Sequence, residues 1–341
     1  MDSKIKTVVS GITPSGNMLH IGNYFGAIKP HLELQNEVEN AYYFIADLHA
    51  LTTVKDKDVL ENNIRNVILD YLALGLDPEK VVFFRQSQVE SHSELAVILG
   101  NYISFGQMQR MHAFKDKLQD GEVVENINMG LFNYPILMAA DILLYKPYGV
   151  PVGEDQRQHI ELARDIALNF NKTYQTEFFP LPEPMIDKKK EISKVIGTDG
   201  VRKMSKSLGN VIGIFDDEEI IRKQIMSCFT DPSRIRATDP GKVEGNTVFI
   251  FHDLLNDNLA EVQDLKDRYT KGEVGDVEVK EKLFNAHMRY FKDARERRKQ
   301  FEKDMKSVEA ILEKGRVIAS EVGGKTVEEV KNLIGLRENL S

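Results

Sequence analysis

"PSGNMLHIGN", residues 14–23, sets a proline, two glycines, a histidine and an asparagine between two apolar runs of different period. Upstream, "IKTVVSG" (5–11) has the composition of a strand. Downstream, "IGNYFGAIKPHLELQN" (21–36) has the spacing of a helix. A strand that turns tightly into a helix leaves free backbone N–H groups at the positive end of that helix, which suits an anion. Gly16 and Gly22 admit a phosphate or a nucleobase close to the backbone. His20 and Asn23 add donors on the first helical turn. Alone the turn says little, because most such turns are only topology and a lone histidine is more often structural.

Working outward, the first half of the chain alternates the two signals. "AYYFIADLHAL" contains a buried strand, "DVLENNIRNVILDYLALG" a helix closed by Gly75, "KVVFFRQ" a strand and "HSELAVILGNYI" a helix. "MGLFNYPILMAADILLY" follows as a mostly buried helix, "GVPVG" as a short strand and "EDQRQHIELARDIALNFNKTY" as an amphipathic helix. Continuous apolar strands between amphipathic helices predict a parallel sheet covered on both faces, a Rossmann-like α/β fold. Ligands bind such sheets at the carboxyl ends of the strands, and residues 12–20 fall there. Residues 172–200 carry more Pro, Lys and Gly and read as loops. Beyond them the signals are helical, from "DDEEIIRKQIMSCF" to the long run 278–315. The expected organisation is a catalytic domain over 1–217, a helical domain over 218–304 and C-terminal helices over 305–341. There are no internal repeats.

The 341 residues suit two domains, and 42% apolar with 29% charged content is ordinary for a soluble protein. No apolar run approaches the roughly 18 residues that cross a bilayer, and "MDSKIKTVVSG" lacks a secretory signal's apolar stretch. With Cys228 alone, the chain cannot build a disulfide framework, a cysteine zinc site or an iron–sulfur site. A cytoplasmic location is expected. The net charge of −8 argues against indiscriminate attraction to nucleic acid. An RNA partner would need a local basic face. "AHMRYFKDARERRKQFEK" (286–303) is one candidate, with seven Lys and Arg against three acids, although a solvated helix face explains it equally well.

"KMSKS", residues 203–207, holds two lysines three apart and two hydroxyls in an expected loop between "GTDG" and "LGN". Lysines are compact charges for phosphate oxygens, to which serines can donate. An arbitrary pentamer of this kind is more often a solvated loop. Paired, the two stretches resemble the signatures of class I aminoacyl-tRNA synthetases, a HIGH-type turn near the N-terminus and KMSKS well downstream. Asn23 replaces the final His of HIGH, a change typical of tryptophanyl-tRNA synthetases. Residues 133–171, "NYPILMAADILLYKPYGVPVGEDQRQHIELARDIALNFN", are similar nearly residue for residue to the bacterial members of that family. "GTDGVRKMSKSLGN" and "DPGKVEGN" look like it too. The likeness covers almost the full chain.

Part of the chemistry can be argued from the residues. Tyr134, Met138 and Asp141 stand at i, i+4 and i+7 on one helical face. An apolar face with one acid can line a flat slot holding a single acceptor. Indole is a large apolar ring whose polar atom is an N–H donor. A buried carboxylate would accept that bond and penalise phenylalanine, which leaves the acceptor unpaired. Val150 and Val152 alternate on the next strand and can face the same slot. Asp141 could instead cap a helix or join an ion pair.

The resemblance assigns Asp141 to the indole N–H, with Met138 and Val150 packing the ring. It assigns Tyr134 and Gln156 to the substrate amino group and His49 to the pocket wall. Val9 stands where the family often has Phe. The resemblance also places Thr13, Pro14, Ser15, Gly22 and Asn23 along the ATP site, and Gly153, Glu154 and Asp155 near the ribose. The chain around Val195 would meet adenine. Lys203, Met204, Ser205, Lys206 and Ser207 would close on the phosphates, joined by Lys117. The catalytic set is then Lys203, Lys206, Lys117, Asn23 and His20.

The implied reaction is that of a tryptophan–tRNA ligase. L-tryptophan attacks ATP to give tryptophanyl-adenylate and pyrophosphate, and tryptophan then passes to the 3′ end of tRNA(Trp). A carboxylate is already a nucleophile at neutral pH, so positioning and electrostatics must supply most of the rate. Mg²⁺ is expected with the ATP phosphates and needs no protein ligands. A homodimer and a helical domain that recognises the anticodon are also implied. Arg234, Arg236 and the basic run 289–299 are candidates for RNA contact. Three rivals stay open: a tyrosyl-tRNA synthetase, a small-metabolite adenylyltransferase and a non-catalytic paralogue that binds RNA or senses tryptophan.

Overall fold

The computed structural model describes residues 5–336 apart from 15, 17, 18, 113, 116–122, 124, 125, 186–194, 232, 233, 235 and 237, and apart from the side chains of 5, 6 and 155. Five strands among these residues form one sheet: β1 (Ile5–Ile12), β2 (Val38–Ile45), β3 (Val81–Arg85), β4 (Gly149–Pro151) and β5 (Glu183–Met185). The spatial order is β3-β2-β1-β4-β5 and every pairing is parallel. Register is set by pairs such as Val8 with Ala41 and Tyr43 with Phe83.

Period-2 alternation divides the interior in two. Val8, Tyr43 and Phe83 enter one apolar cluster, while Val9, Tyr42 and Phe84, each one residue on or back, enter another on the opposite face. Both faces are therefore covered, as continuous apolar strands require.

The turn after β1 opens α1, which runs as Ile21–Asn23, a π-helical turn Tyr24–Ile28 and Lys29–Leu34. Next come α2 (Lys57–Leu74), α3 (Ser91–Leu99), α4 (Met129–Leu143) and α5 (Arg157–Tyr174). Asp56 caps α2 by accepting from the Val59 N–H, and Gly75 closes it at φ 113°. Asn128 caps α4, which runs through Pro135. The helices that follow are α6 (Glu218–Met226), α7 (Thr247–Leu255), α8 (Leu259–Lys271), α9 (Asp276–Tyr290), α10 (Lys292–Lys303) and α11 (Met305–Ile334). None of the described helices is long and apolar enough to cross a membrane.

Two features depart from the sequence reading. β5 lies inside the stretch read as loops. It is a three-residue strand at the sheet edge with Pro184 at its centre, and an edge tolerates a residue without an N–H. The helical run 278–315 divides among α9, α10 and α11, with breaks at Phe291 and Asp304.

The last helix returns to the sheet. α11 lies along β3 so closely that a Cβ on Gly315 would stand 2.0 Å from the Phe83 carbonyl oxygen. It thereby covers one open edge. Chain order reverses direction between β1 and β4, and the carboxyl ends of those two strands frame the site.

Candidate functional site

A cavity of about 750 Å³ opens at this switch point. β1 contributes Val9 and, just past its end, Thr13. β4 contributes Val150, followed by Val152, Gly153, Glu154 and Gln156. α4 contributes Tyr134, Met138 and Asp141 from one face, and His49 enters from the segment after β2. All eight residues assigned to tryptophan in the sequence reading thus line one cavity. Of the ATP set, Thr13, Gly153 and Glu154 line it as well. Ser15, Lys117 and the Asp155 side chain lie outside the described residues.

Asp141 is 2% exposed, and its carboxylate is held from three sides. His49 Nε2 lies 2.8 Å from Oδ2, while Gln86 Nε2 at 2.7 Å and His92 Nδ1 at 2.6 Å meet Oδ1. Desolvation raises the Asp141 pKa, but the hydrogen bonds from His49 and His92 and their charge outweigh it and hold it down at about 2. With Asp141 ionised, both histidines donate to it. A neutral His92 that donates from Nδ1 accepts at Nε2, 2.8 Å from the Tyr145 hydroxyl, which donates. Tyr134 is oriented in turn by His159, whose Nε2 is 2.8 Å from its hydroxyl.

Gln86 and His92 carry this arrangement, yet nothing local in the sequence marks them. Their partner is 55 and 49 residues away, and only the sheet brings the end of β3 and the start of α3 beneath α4. Phe25, Pro30 and His31 of α1 also reach the cavity. The π-turn Tyr24–Ile28 coincides with Gly26 and Ala27 on the wall, a common association of π-turns with binding sites. Burial lowers the His31 pKa to about 4, and its Nε2 lies 3.2 Å from the Ser10 hydroxyl.

The turn 14–23 and the KMSKS segment meet beside the cavity. His20 caps α1: its Nδ1 accepts from the Asn23 N–H at 3.3 Å, while Asn23 Oδ1 accepts from the His20 N–H at 3.2 Å. Burial, then the charges of Lys206 and Lys203, lower the His20 pKa to about 4. The neutral ring that accepts at Nδ1 carries its hydrogen on Nε2. Gly22 allows the approach, since a Cβ there would stand 2.9 Å from His20 Nδ1 and 3.1 Å from the Met204 Cβ. Lys206 Nζ lies 3.6 Å from where a Gly16 Cβ would be. Downstream, Ile21 N–H donates to the Ile212 carbonyl at 3.0 Å and Ile214 N–H to the Leu19 carbonyl at 3.1 Å.

Within KMSKS, Lys203, Lys206 and Ser207 are exposed, Ser205 is half-buried and Met204 is buried in the core. Asn210 holds the loop, accepting from the Ser205 N–H at 2.8 Å and donating to Asp199 at 3.0 Å. Val195 is buried in the same apolar cluster as Met204 and is not on the cavity wall.

Part of the basic run 289–299 turns inward, whereas Arg289, Lys292 and Lys299 are exposed. Arg298 pairs with Asp70, Arg297 donates to the Ala73 carbonyl, Arg295 to the Ile214 carbonyl and Arg289 to Asn256. Arg234 is enclosed too, with its Nη2 2.8 Å from the Val274 carbonyl, whereas Arg236 is exposed.

Comparison with known proteins agrees with this architecture. Residues 2–292 match the family model described as tRNA synthetases class I (W and Y). The tryptophan–tRNA ligase of Borreliella burgdorferi is 43% identical over 337 residues, spanning 98% of this chain and 94% of that one. That of Fusobacterium nucleatum is 42% identical over 336 residues, spanning 98% and 100%. The crystal structure of tryptophanyl-tRNA synthetase from Campylobacter jejuni complexed with ADP and tryptophan superposes with a TM-score of 0.88 at 39% identity, covering 97% of this chain and 100% of that one. The parallel sheet, the paired turns and these relatives together place the chain: it belongs to the class I tRNA synthetases for tryptophan and tyrosine, and among them to the tryptophan–tRNA ligases.

Proposed function

We propose that the cavity holds L-tryptophan with its indole N–H on Asp141, and that ATP lies between the 13–23 turn and Lys203–Ser207. The observation that carries this is the buried Asp141 carboxylate, held by three side-chain donors, in a cavity whose wall also presents the apolar Val9, Phe44, Met138 and Val150. An ionised carboxylate offers about four acceptor positions. His49, Gln86 and His92 take three, two of them on Oδ1, so the remaining position is on Oδ2. An indole N–H fills it. A phenol presents an oxygen that repels it unless its hydroxyl turns inward, and phenylalanine leaves it unpaired.

Activation then needs little proton chemistry. Tyr134 and Gln156 hold the amino group and leave the carboxylate facing the α-phosphorus. Lys206 and Lys203 meet the charge that builds on the leaving pyrophosphate. His20, neutral and donating from Nε2, and the N–H groups of the turn meet the phosphate oxygens. Lys117 joins the phosphates, and Asp155 with Gly153 and Glu154 meets the ribose. Mg²⁺ arrives on the triphosphate, whose oxygens are its preferred hard ligands. We assign residues 1–217 to catalysis, 218–304 to the tRNA anticodon and 305–341 to the return onto the sheet, in a homodimer.

The test is ATP–pyrophosphate exchange with Asp141→Ala. Loss of a buried charge-assisted hydrogen bond, worth about 1.5–3 kcal/mol, raises the tryptophan KM by about 10- to 150-fold. The ATP KM moves less than threefold. Parallel loss of both affinities, or exchange with tyrosine equal to that with tryptophan in the unsubstituted protein, overturns the assignment.

A further inference from the structure

We propose that Asp70 and Arg298 form a positioning pair through which α10 sets the ATP turn; this rests on reading the 13–23 turn and Lys203–Ser207 as the ATP site. Asp70, on α2, is fully buried. Its Oδ1 accepts from Arg298 Nε at 2.6 Å, and its Oδ2 accepts from the backbone N–H of Leu19 at 3.1 Å. Leu19 immediately precedes the cap residue His20, so one carboxylate joins a helix late in the chain to the first residue of the capped turn.

The same stretch of chain holds the opposite wall. Arg295, one turn before Arg298, donates from Nη1 to the carbonyls of Ile214 at 2.6 Å and Asp216 at 3.0 Å. Ile214 follows the KMSKS loop and pairs with Leu19, and Ile212, two residues before it, pairs with Ile21. At the α9–α10 junction, the rings of Tyr290 and Phe291 pack edge-on against Tyr24 of α1, with centroids 6.0 and 5.2 Å away. Residues 290–298 therefore touch Tyr24, just past the 13–23 turn, and Ile214 and Asp216, downstream of Lys203–Ser207, and they reach Leu19 through Asp70. Asp70 and Asp216 are also the carboxylates whose charge reaches Lys206.

Stability alone is a poor reason for this pair. A buried ion pair is often replaceable by apolar residues of similar volume without loss of stability, whereas removal of one partner is strongly destabilising. What apolar residues cannot supply is an acceptor for Leu19. The pair fixes where that N–H sits, and with it His20 and the helix start.

The experiment replaces both partners together, Asp70→Leu with Arg298→Met, and measures pyrophosphate exchange beside thermal unfolding. The expected result is a folded protein whose kcat/KM for ATP falls at least tenfold while its tryptophan KM stays within threefold. A folded double variant with unchanged ATP parameters overturns the proposal, as does an equal loss for tryptophan. If that variant does not fold, Asp70→Asn with Arg298→Met decides, since it keeps an acceptor for Leu19 and severs only the link. At least a threefold rise in ATP KM supports the pair, and an unchanged value overturns it. Lys206→Ala run in parallel separates the two ideas. If it leaves exchange intact, the ATP site itself is misassigned. If it abolishes exchange while the double variants behave as wild type, only the positioning role is lost.

Discussion

His49 Nε2 donates to Asp141 Oδ2 across 2.8 Å, from a segment after β2 to a helix that begins more than 80 residues later. Asp141 is enclosed, and the His49 side chain, itself 12% exposed, lines the same cavity. His49→Phe keeps a ring there and removes the donor. Removing one partner of a buried hydrogen bond costs about 1–3 kcal/mol, so the tryptophan KM rises about 5- to 150-fold. Exchange kinetics with tryptophan varied at saturating ATP measure this, and the ATP KM stays within twofold.

The depressed pKa of Asp141 has a signed consequence. Its native value is about 2 against an ordinary 3.8. The unfolded chain therefore binds more protons between those values, and stability falls as pH drops through them, being fully present above about 4. Asp141→Asn abolishes this contribution. Acid unfolding of the variant, followed by circular dichroism, is shallower between pH 4 and 2 than that of the unsubstituted protein.

His20 is also depressed, from 6.5 to about 4, but as a base. The native protein resists protonating it, so its contribution is complete above pH 6.5 and is lost as pH falls toward 4. Nitrogen-15 spectra at pH 5.5 show a neutral ring with the proton on Nε2. A charged His20 at that pH contradicts the cap geometry and its two nearby lysines.

Lys206→Ala removes the cation that the proposed ATP site sets against the leaving pyrophosphate. Loss of a single preorganised electrostatic group costs about 10²–10³ in kcat. The tryptophan KM is unaffected, because Lys206 is not part of the cavity wall. Single-turnover exchange distinguishes this from weaker ATP binding.

Gly315→Ala tests the return of α11 to the sheet. The added methyl meets the Phe83 carbonyl at 2.0 Å, so helix or strand must shift. Overpacking of this kind costs about 1–3 kcal/mol. Thermal unfolding midpoints drop by about 2–8 °C, while kcat for exchange by the folded protein is retained.

How much could be read beforehand follows from distance along the chain. The alternation of strand and helix, and the face shared by Tyr134, Met138 and Asp141, depend on neighbours within two turns, and both are visible in the letters. β5 escapes because three residues centred on a proline carry no period. Gln86 and His92 escape because an acid's partners are set by sheet order. The inward partners of Arg295, Arg297 and Arg298 escape because sequence reports charge and not direction. The packing of α10 on α2 turns Arg297 and Arg298 inward.

Arg298 and Asp70 are 228 positions apart. On the ribosome, the nascent chain exposes Leu19, His20 and Asp70 long before the guanidinium that completes them is synthesised. Any fragment released before α10 lacks the counter-charge for a carboxylate destined for the interior. A chain terminated before α10 therefore keeps the Asp70 bond to Leu19 as its link to the turn and loses the one to the late helix.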